Sequence, residues 1–272
     1  MTSRLIIAVP AHNEQETIAD CIAAVWRSVS IAVRAGRVSR ALVTVAAHRC
    51  RDATAGYAGP ALAAGAARFP GVATGLLRID NSSRTVGEVR ATLAAEAGER
   101  LPAGPDCWLF NTDADSLVPV EWIVDILDHA ASANAVAVAG LVDIADWRTT
   151  DLARRRYDAI IRAGLTPTGH RHVYGANLAV RWDAYRSVGG FGSFAHGEDS
   201  GLVAALRMAG QPVASVFSPV VSTSSRMPGR AQHGLGSLLG DLTNGRDSVI
   251  GMRRILQGPH AGSPPQLAPR QP

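Results

Sequence analysis

The sequence predicts an α/β fold in which a mixed, mostly parallel β-sheet is covered by helices on both faces. Three observations carry this prediction: short apolar segments of strand length recur, polar turns follow them, and most turns lead into a segment with helical periodicity. Such an alternation places successive strands side by side and parallel, because each helix returns the chain to the same end of the sheet.

The first half of the chain alternates regularly between strands and helices. Asn13 is placed to cap the first helix, with Glu16 three residues later as its capping-box partner. A later helix over residues 82–100 carries Arg84 and Arg90, for which a solvated face and a contact with phosphate are both open. The predicted strands in this half are residues 4–9, 41–47, 75–79 and 108–110.

The second half is less regular. Pro119 suits the first turn of the helix after the fourth strand. A segment rich in Pro, Gly and His, 166–172, suits a substrate-facing insertion, and 221–230 is expected to be a polar loop. We expect one domain over residues 1–256 and a disordered tail over 257–272. The predicted strands are 135–142, 173–181 and 213–217, and the predicted helices are 151–164, one that begins at 198, and 235–256.

The composition excludes several classes of function. All 27 basic residues are arginine, so neither a Schiff-base lysine nor a P-loop lysine exists. The net charge is +4, the arginines are scattered and aromatic residues are 5%, which argues against nucleic-acid binding and suits a small anionic ligand such as a diphosphate. Three separated cysteines predict neither a zinc site nor a disulfide set.

The sequence has neither a signal-peptide pattern nor an apolar run of transmembrane length. We therefore expect a cytoplasmic protein without a transmembrane segment. Peripheral association with a membrane stays open.

Two carboxylates, Asp113 and Asp115, stand one residue apart directly after the buried strand 108–110. Carboxylates this close repel each other unless a cation or hydrogen-bond donors hold them, and hard oxygen ligands suit Mg²⁺ or Mn²⁺. In an open α/β sheet, ligands bind at such turns after the strands. The alternative is a solvated turn with a helix cap.

A second acidic pair, Glu198 and Asp199, follows a glycine-rich turn where a helix begins. A helix N-terminus attracts carboxylates, so capping alone is one explanation, although two acids exceed what one cap requires. Asn177 lies in the predicted strand 173–181, where a satisfied buried amide and a binding role are both open.

Three motifs together resemble family 2 glycosyltransferases of the GT-A fold, which is Rossmann-like. They are VPAHNE at 9–14, NTDADS at 111–116 and GGFGSFAHGED at 189–199. Each motif alone is weak, but their order and spacing match the family, and the resemblance extends from about residue 4 to residue 230.

The resemblance implies a nucleotide-diphosphate sugar donor, a divalent metal (Mn²⁺ or Mg²⁺) and inversion at the anomeric carbon. It implies that Asp115 binds the metal directly, with Asp113 as the second carboxylate of the metal site, closer to the ribose or an ordered water. Asp199 would be the catalytic base, with Glu198 orienting the acceptor or the base. The implied contacts to the nucleotide are Pro10, Asn13 and Glu14.

Other polar residues extend the predicted site. Ala47 and His48 stand where many relatives hold uracil with an aspartate, so a uridine donor is in doubt and guanosine or thymidine donors stay open. Arg84, Arg226 and Arg230 are candidates to neutralise the diphosphate, with His233 as an alternative metal ligand. Asn177 is the candidate contact to the acceptor, an unidentified hydroxyl compound.

Two other functions compete with this prediction. A phosphatase of the haloacid dehalogenase type also carries D-x-D after a strand, but Leu117 occupies the fifth motif position and the lysine of that class is missing. The other is a non-catalytic nucleotide or carbohydrate binder of the same fold, against which the intact pair Glu198 and Asp199 argues.

Overall fold

The computed structural model describes residues 2–101, 104–226 and 234–245. The described strands are β1 (Ser3–Ala11), β2 (Val38–His48), β3 (Ala73–Asp80), β4 (Cys107–Asn111), β5 (Ser116–Leu117), β6 (Ala137–Ala145), β7 (Leu165–Thr166), β8 (Gly169–His170), β9 (Leu178–Arg181) and β10 (Val213–Ser224). The described helices are α1 (Ile18–Arg34), α2 (Thr54–Ala66), α3 (Val86–Arg100), α4 (Trp122–Ser132), α5 (Asp151–Ala163), α6 (Trp182–Ser187), α7 (Glu198–Met208) and α8 (Leu235–Thr243).

Within the described residues, eight strands form one sheet in the order β3-β2-β1-β4-β9-β6-β10-β5. Most neighbours are parallel, whereas β9 is antiparallel to β4 and β6, and β5 is antiparallel to β10. Strands β7 and β8 form a separate hairpin. The predicted α/β fold with a mixed, mostly parallel sheet is therefore confirmed.

Helices cover both faces of the sheet, and the pattern of β1 shows why. Leu5, Ile7 and Val9 pack into a core with α1, α2 and α4, whereas Ile6 and Ala8 pack into a second core with α3 and α7. Successive side chains of a strand point to opposite faces, so a continuous apolar run is what a strand buried on both faces requires. A third, smaller core joins α5 to α8.

The predicted cap of the first helix is wrong. Asn13 has a left-handed backbone, with φ of 55°, and α1 begins only at Ile18. The carbonyl of Glu14 accepts the N–H groups of Thr17 and Ile18 instead. Asn13 therefore precedes the helix and belongs to the turn after β1.

Two other helix starts were predicted too early. The fourth helix begins at Trp122, whose N–H is accepted by the carbonyl of Pro119. The third begins at Val86, because Thr85 is its cap and accepts the N–H of Glu88.

Two predicted segments in the second half are also corrected. Residues 175–177 form a 3-10 turn, and only Leu178–Arg181 form the strand β9. The first part of the predicted loop 221–230 is strand, because β10 continues to Ser224 and pairs there with β6 and β5. The predicted helix 235–256 ends earlier, because α8 stops at Thr243. Residues 246–256, and the tail 257–272 predicted to be disordered, lie outside the described residues, and the single domain stays a prediction.

Across residues 2–101, 104–226 and 234–245, the structure contains no helix with the length and apolar character needed to cross a bilayer.

Candidate active site

The carboxyl ends of the parallel strands meet along one edge of the sheet. Strands β1 and β2 stay in register up to Ala11 and Ala47, and β2 and β3 up to His48 and Asp80. Open α/β sheets bind their ligands at this edge. The residues that follow these strands are therefore brought together by topology.

Arg90 connects the two acidic pairs. Its side chain is 2% exposed, and it donates from Nη2 to Oδ1 of Asp113 at 2.5 Å and from Nε to Oε1 of Glu198 at 3.3 Å. Gly175 makes room for the guanidinium, since a Cβ there would lie 2.7 Å from Nη2. Of the two alternatives for Arg90, the solvated face is wrong. The turn after β4 and the start of α7 thus lie at the same edge of the sheet.

The start of α7 holds Asp199 in a fixed orientation. Gly197 precedes the helix with a left-handed φ of 74°, which favours glycine. Oδ2 of Asp199 accepts the N–H of Gly175 at 2.7 Å, and Oδ1 accepts the N–H of Ser200 at 2.6 Å. Asp199 remains partly exposed, whereas Glu198 beside it is buried.

Burial makes both acids of α7 harder to ionise. It raises the pKa of Glu198 to about 7, with the charge of Asp199 adding to the rise and Arg90 opposing it. Burial also raises the pKa of Asp199, against the hydrogen bond from Ser200, the charge of Arg90 and the hydrogen bond from Gly175. The two groups titrate as a pair, and the pair can accept a proton near neutral pH.

Asp115 faces a different cation, Arg226. The guanidinium of Arg226 donates to both oxygens of Glu14, at 2.9 and 2.8 Å, and to Oδ2 of Asp115 at 2.9 Å. Burial raises the pKa of Asp115 to about 6, with Asp113 and Glu14 adding to the rise and Arg226 opposing it. Three sequence-predicted residues, Glu14, Asp115 and Arg226, therefore form one cluster.

Asn177 is buried, and both hydrogens of its side-chain amide are donated to backbone carbonyls. Its Nδ2 donates to the carbonyls of Leu141 and Pro219, both at 2.8 Å, and its Oδ1 accepts the indole N–H of Trp122 at 2.9 Å. These contacts tie the 3-10 turn to β6, β10 and α4. The predicted contact between Asn177 and an acceptor stays a prediction.

The side chain of His48 is oriented by Asp80, a residue outside the predicted site. Nδ1 of His48 lies 3.0 Å from Oδ2 of Asp80. Burial alone would raise the pKa of Asp80, but the hydrogen bonds from Ser83 and Ser82 outweigh it and hold that pKa well below its usual range. The sequence Asp-Asn-Ser-Ser directly after a strand is typical of such a turn and was the available signal.

The turn after β1 is braced against the turn after β2. Oδ1 of Asn13 accepts the N–H of Arg51 at 2.7 Å, and Nδ1 of His12 lies 2.7 Å from the carbonyl oxygen of His48. Pro10 lies in β1 and pairs with Ala46 of β2. The nucleotide contacts predicted for Pro10 and Asn13 stay predictions.

The remaining candidates are peripheral or outside the described chain. The side chain of Arg84 is 83% exposed, and its nearest charged partner is Glu88 at 3.9 Å. Its predicted contact with the diphosphate stays a prediction. Arg230 and His233 lie outside the described residues.

The mixed sheet and its helices match the GT-A fold of solved glycosyltransferase structures. No family model matches the sequence, and no curated protein matches it. Solved structures do match in fold. A mannosyltransferase from Pyrobaculum calidifontis, solved with GDP-Man and Mn²⁺, matches with a TM-score of 0.61 and 17% identity, over 84% of this chain and 59% of the other.

Two further structures are similar. TarS 1-349 of S. aureus, solved with UDP-GlcNAc, has a TM-score of 0.56 and 10% identity, over 84% of this chain and 60% of that one. Glucosyl-3-phosphoglycerate synthase from Mycobacterium tuberculosis, solved with Mn²⁺ and UDP-Glc, has a TM-score of 0.51 and 17% identity, over 96% and 81%. This chain therefore spans about three fifths of the first two proteins, and identities this low show the fold alone.

Proposed function

We propose that this chain is a metal-dependent, inverting glycosyltransferase of family 2, which transfers a sugar from a nucleotide-diphosphate donor to an acceptor hydroxyl. The observation that carries the proposal is the bridge of Arg90 between Asp113 and Glu198. It places the carboxylate-rich turn after β4 beside the acids of α7, as a transfer between a donor and an acceptor requires. The motifs in family order and the fold of the neighbours support the same function.

The chemistry of Asp113 and Asp115 fits a divalent cation. Both are hard oxygen ligands, and their side chains are 41% and 22% exposed. The described residues contain no group of three His, Cys, Asp or Glu placed to hold a metal alone. The two carboxylates would therefore share the metal with donor phosphates and water. When bound, a divalent metal would supply Lewis-acid stabilisation of the leaving diphosphate.

Asp199 is the residue we assign as the base. An acceptor hydroxyl is too weak an acid to lose its proton in advance, so a carboxylate must take the proton as the new bond to the sugar forms. The raised pKa of Asp199 makes it a stronger base than an ordinary aspartate. The N–H groups of Gly175 and Ser200 orient its two oxygens, and the residue is partly exposed.

The donor base, the sugar and the acceptor are open within this proposal. The similar structures hold GDP-Man, UDP-GlcNAc and UDP-Glc, so both purine and pyrimidine donors belong in a first screen. We place the enzyme in the cytoplasm, with peripheral attachment to a membrane if the acceptor is a lipid.

The test is donor turnover. The protein is incubated with UDP-, GDP- and dTDP-sugars and Mn²⁺, and released nucleoside diphosphate is measured for the wild type and for Asp199→Asn. We expect wild-type turnover with one donor class, a loss of about 10² to 10⁴ in the variant, and similar nucleotide affinity in both. Nucleotide binding without turnover would instead identify a non-catalytic binder, and full activity of the variant would remove Asp199 from the mechanism.

A further inference from the structure

Arg226 is paired with Glu14 and Asp115, two carboxylates that the proposed function assigns to donor binding. One guanidinium is shared by Glu14, from the turn after β1, and Asp115, from the turn after β4. Arg226 itself follows the end of β10. It therefore ties together three separate parts of the sheet edge.

The two arginines of the site differ in how firmly they are held. Arg90, which pairs with Asp113, is 2% exposed and packs under Gly175. The side chain of Arg226 is 31% exposed. Because an arginine cannot lose its charge in a protein, it can release a carboxylate only by moving away. Arg226 is therefore the arginine that can move, but without a new anion the move breaks its pairs with Glu14 and Asp115.

A guanidinium and a divalent cation that both contacted Oδ2 of Asp115 would lie close together and repel each other strongly. Metal without nucleotide would have to displace Arg226 and leave its charge without a new partner. A diphosphate changes this balance, because its oxygens can receive the guanidinium in bidentate fashion. Metal and diphosphate together give Asp115 a new cation and Arg226 a new anion, while Glu14 keeps the hydrogen bond from the hydroxyl of Thr17.

We propose that Arg226 is an exchangeable counterion that suppresses metal binding at Asp115 until a nucleoside diphosphate arrives to receive it. The site then takes the metal and the diphosphate as one unit. This inference rests on the proposed function, since it assumes that Asp115 is the metal ligand of a donor site.

The test measures Mn²⁺ binding from the electron paramagnetic resonance signal of free Mn²⁺. The full chain and Arg226→Gln are titrated with MnCl₂ alone and with MnCl₂ plus UDP or GDP. We expect Arg226→Gln to bind Mn²⁺ alone about tenfold or more tightly than the wild type, because a competing charge is gone. Adding the nucleotide should strengthen Mn²⁺ binding by about tenfold or more in the wild type and much less in the variant.

Two further variants separate charge from packing. Arg226→Lys keeps a cation near Asp115, so its affinity for Mn²⁺ alone should stay within about threefold of the wild type. Arg37→Gln removes a remote surface arginine that pairs with Asp128, and its Mn²⁺ binding should be unchanged.

The outcomes distinguish the two claims. If wild type and Arg226→Gln bind Mn²⁺ alone with equal affinity, while UDP or GDP still enhances binding in both, the counterion role is overturned and the proposed function stands. If neither protein binds Mn²⁺ with or without UDP or GDP, both claims fail.

Discussion

Replacing Arg90 by methionine removes a guanidinium that joins the acidic turn to α7. The change leaves Glu198, whose side chain is 8% exposed, as a buried carboxylate without its cation, and Asp113, which is 41% exposed, open to hydration. Breaking a buried ion pair by removing one partner costs about 3–5 kcal/mol. Because only one of the two carboxylates is buried, we expect a loss near the lower limit, about 3 kcal/mol at pH 8.5.

The loss should depend on pH, because Glu198 can take up a proton instead of staying charged. Its pKa is already raised from the usual value to about 7, mainly by burial, and Arg90 opposes the rise. A carboxyl whose pKa is higher in the folded than in the unfolded protein lowers the free energy of unfolding as the pH rises between these two pKa values. Without Arg90 that window extends above pH 7, so the variant should fall further behind the wild type at pH 8.5 than at pH 6.

Urea unfolding followed by tryptophan fluorescence at pH 6 and pH 8.5 measures this difference. The control is Arg37→Met, which breaks the exposed pair of Arg37 with Asp128 and should cost less than about 1 kcal/mol at either pH. Adding Glu198→Gln to the Arg90 variant should recover part of the loss. A cost for Arg90→Met that equals the control and does not change with pH would show that Arg90 does not balance the buried charge of Glu198.

Three other predictions concern catalysis and folding. Turnover should fall as the pH drops through about 7, because the base Asp199 is coupled to Glu198 and the pair takes up a proton there; a pH profile of kcat/KM measures it. Gly87→Ala should lower kcat by about tenfold or more, since a Cβ would lie 2.3 Å from the carbonyl oxygen of Gly192 and displace the loop before α7. Burial lowers the pKa of His172, so the folded protein favours its neutral ring. The free energy of unfolding should therefore fall as the pH drops below 6.5, by up to about 1.4 kcal/mol per pH unit. Urea unfolding of the wild type and His172→Gln at pH 7.5 and 5.5 measures this loss.

Each of these predictions has a result that counts against it. A flat pH profile between 6 and 8 would mean that the acidic pair of α7 does not supply the base. For Gly87→Ala, the control is Gly56→Ala, where a Cβ has no neighbour within 4 Å, and equal activity of the two variants would contradict the packing argument. Equal loss of stability at pH 5.5 in wild type and His172→Gln would show that another group titrates.

The sequence predicted the parts of the fold that depend on short stretches of chain. The apolar run before Asp113 identified β4, and the glycine-rich turn before Glu198 located the start of α7, because strand burial and helix initiation leave local patterns. The helix starts near Asn13 and Pro119 were wrong, since backbone contacts within each turn decided where the helix begins.

Contacts between distant segments could not be predicted in this way. Strand β5 has two residues and exists because Leu117 pairs with Ser222 of β10, which no local pattern announces. Arg90 lies on a helix whose periodicity also allowed a solvated face, and its burial depends on the space left by Gly175. Glu14 and Arg226 are 212 positions apart, and only the sheet topology brings them together.

A crystal structure of the full chain with Mn²⁺ and the nucleoside diphosphate of the preferred donor, with anomalous data collected at the manganese edge, would show whether the turn after β4 and the start of α7 form one transfer site. We predict that Mn²⁺, located by its anomalous peak, is bound to Asp115. Arg226 should then contact the diphosphate, and Asp199 should face the metal across a gap that fits one sugar. A manganese peak away from Asp115, or Asp199 turned away from the bound diphosphate, would contradict this prediction.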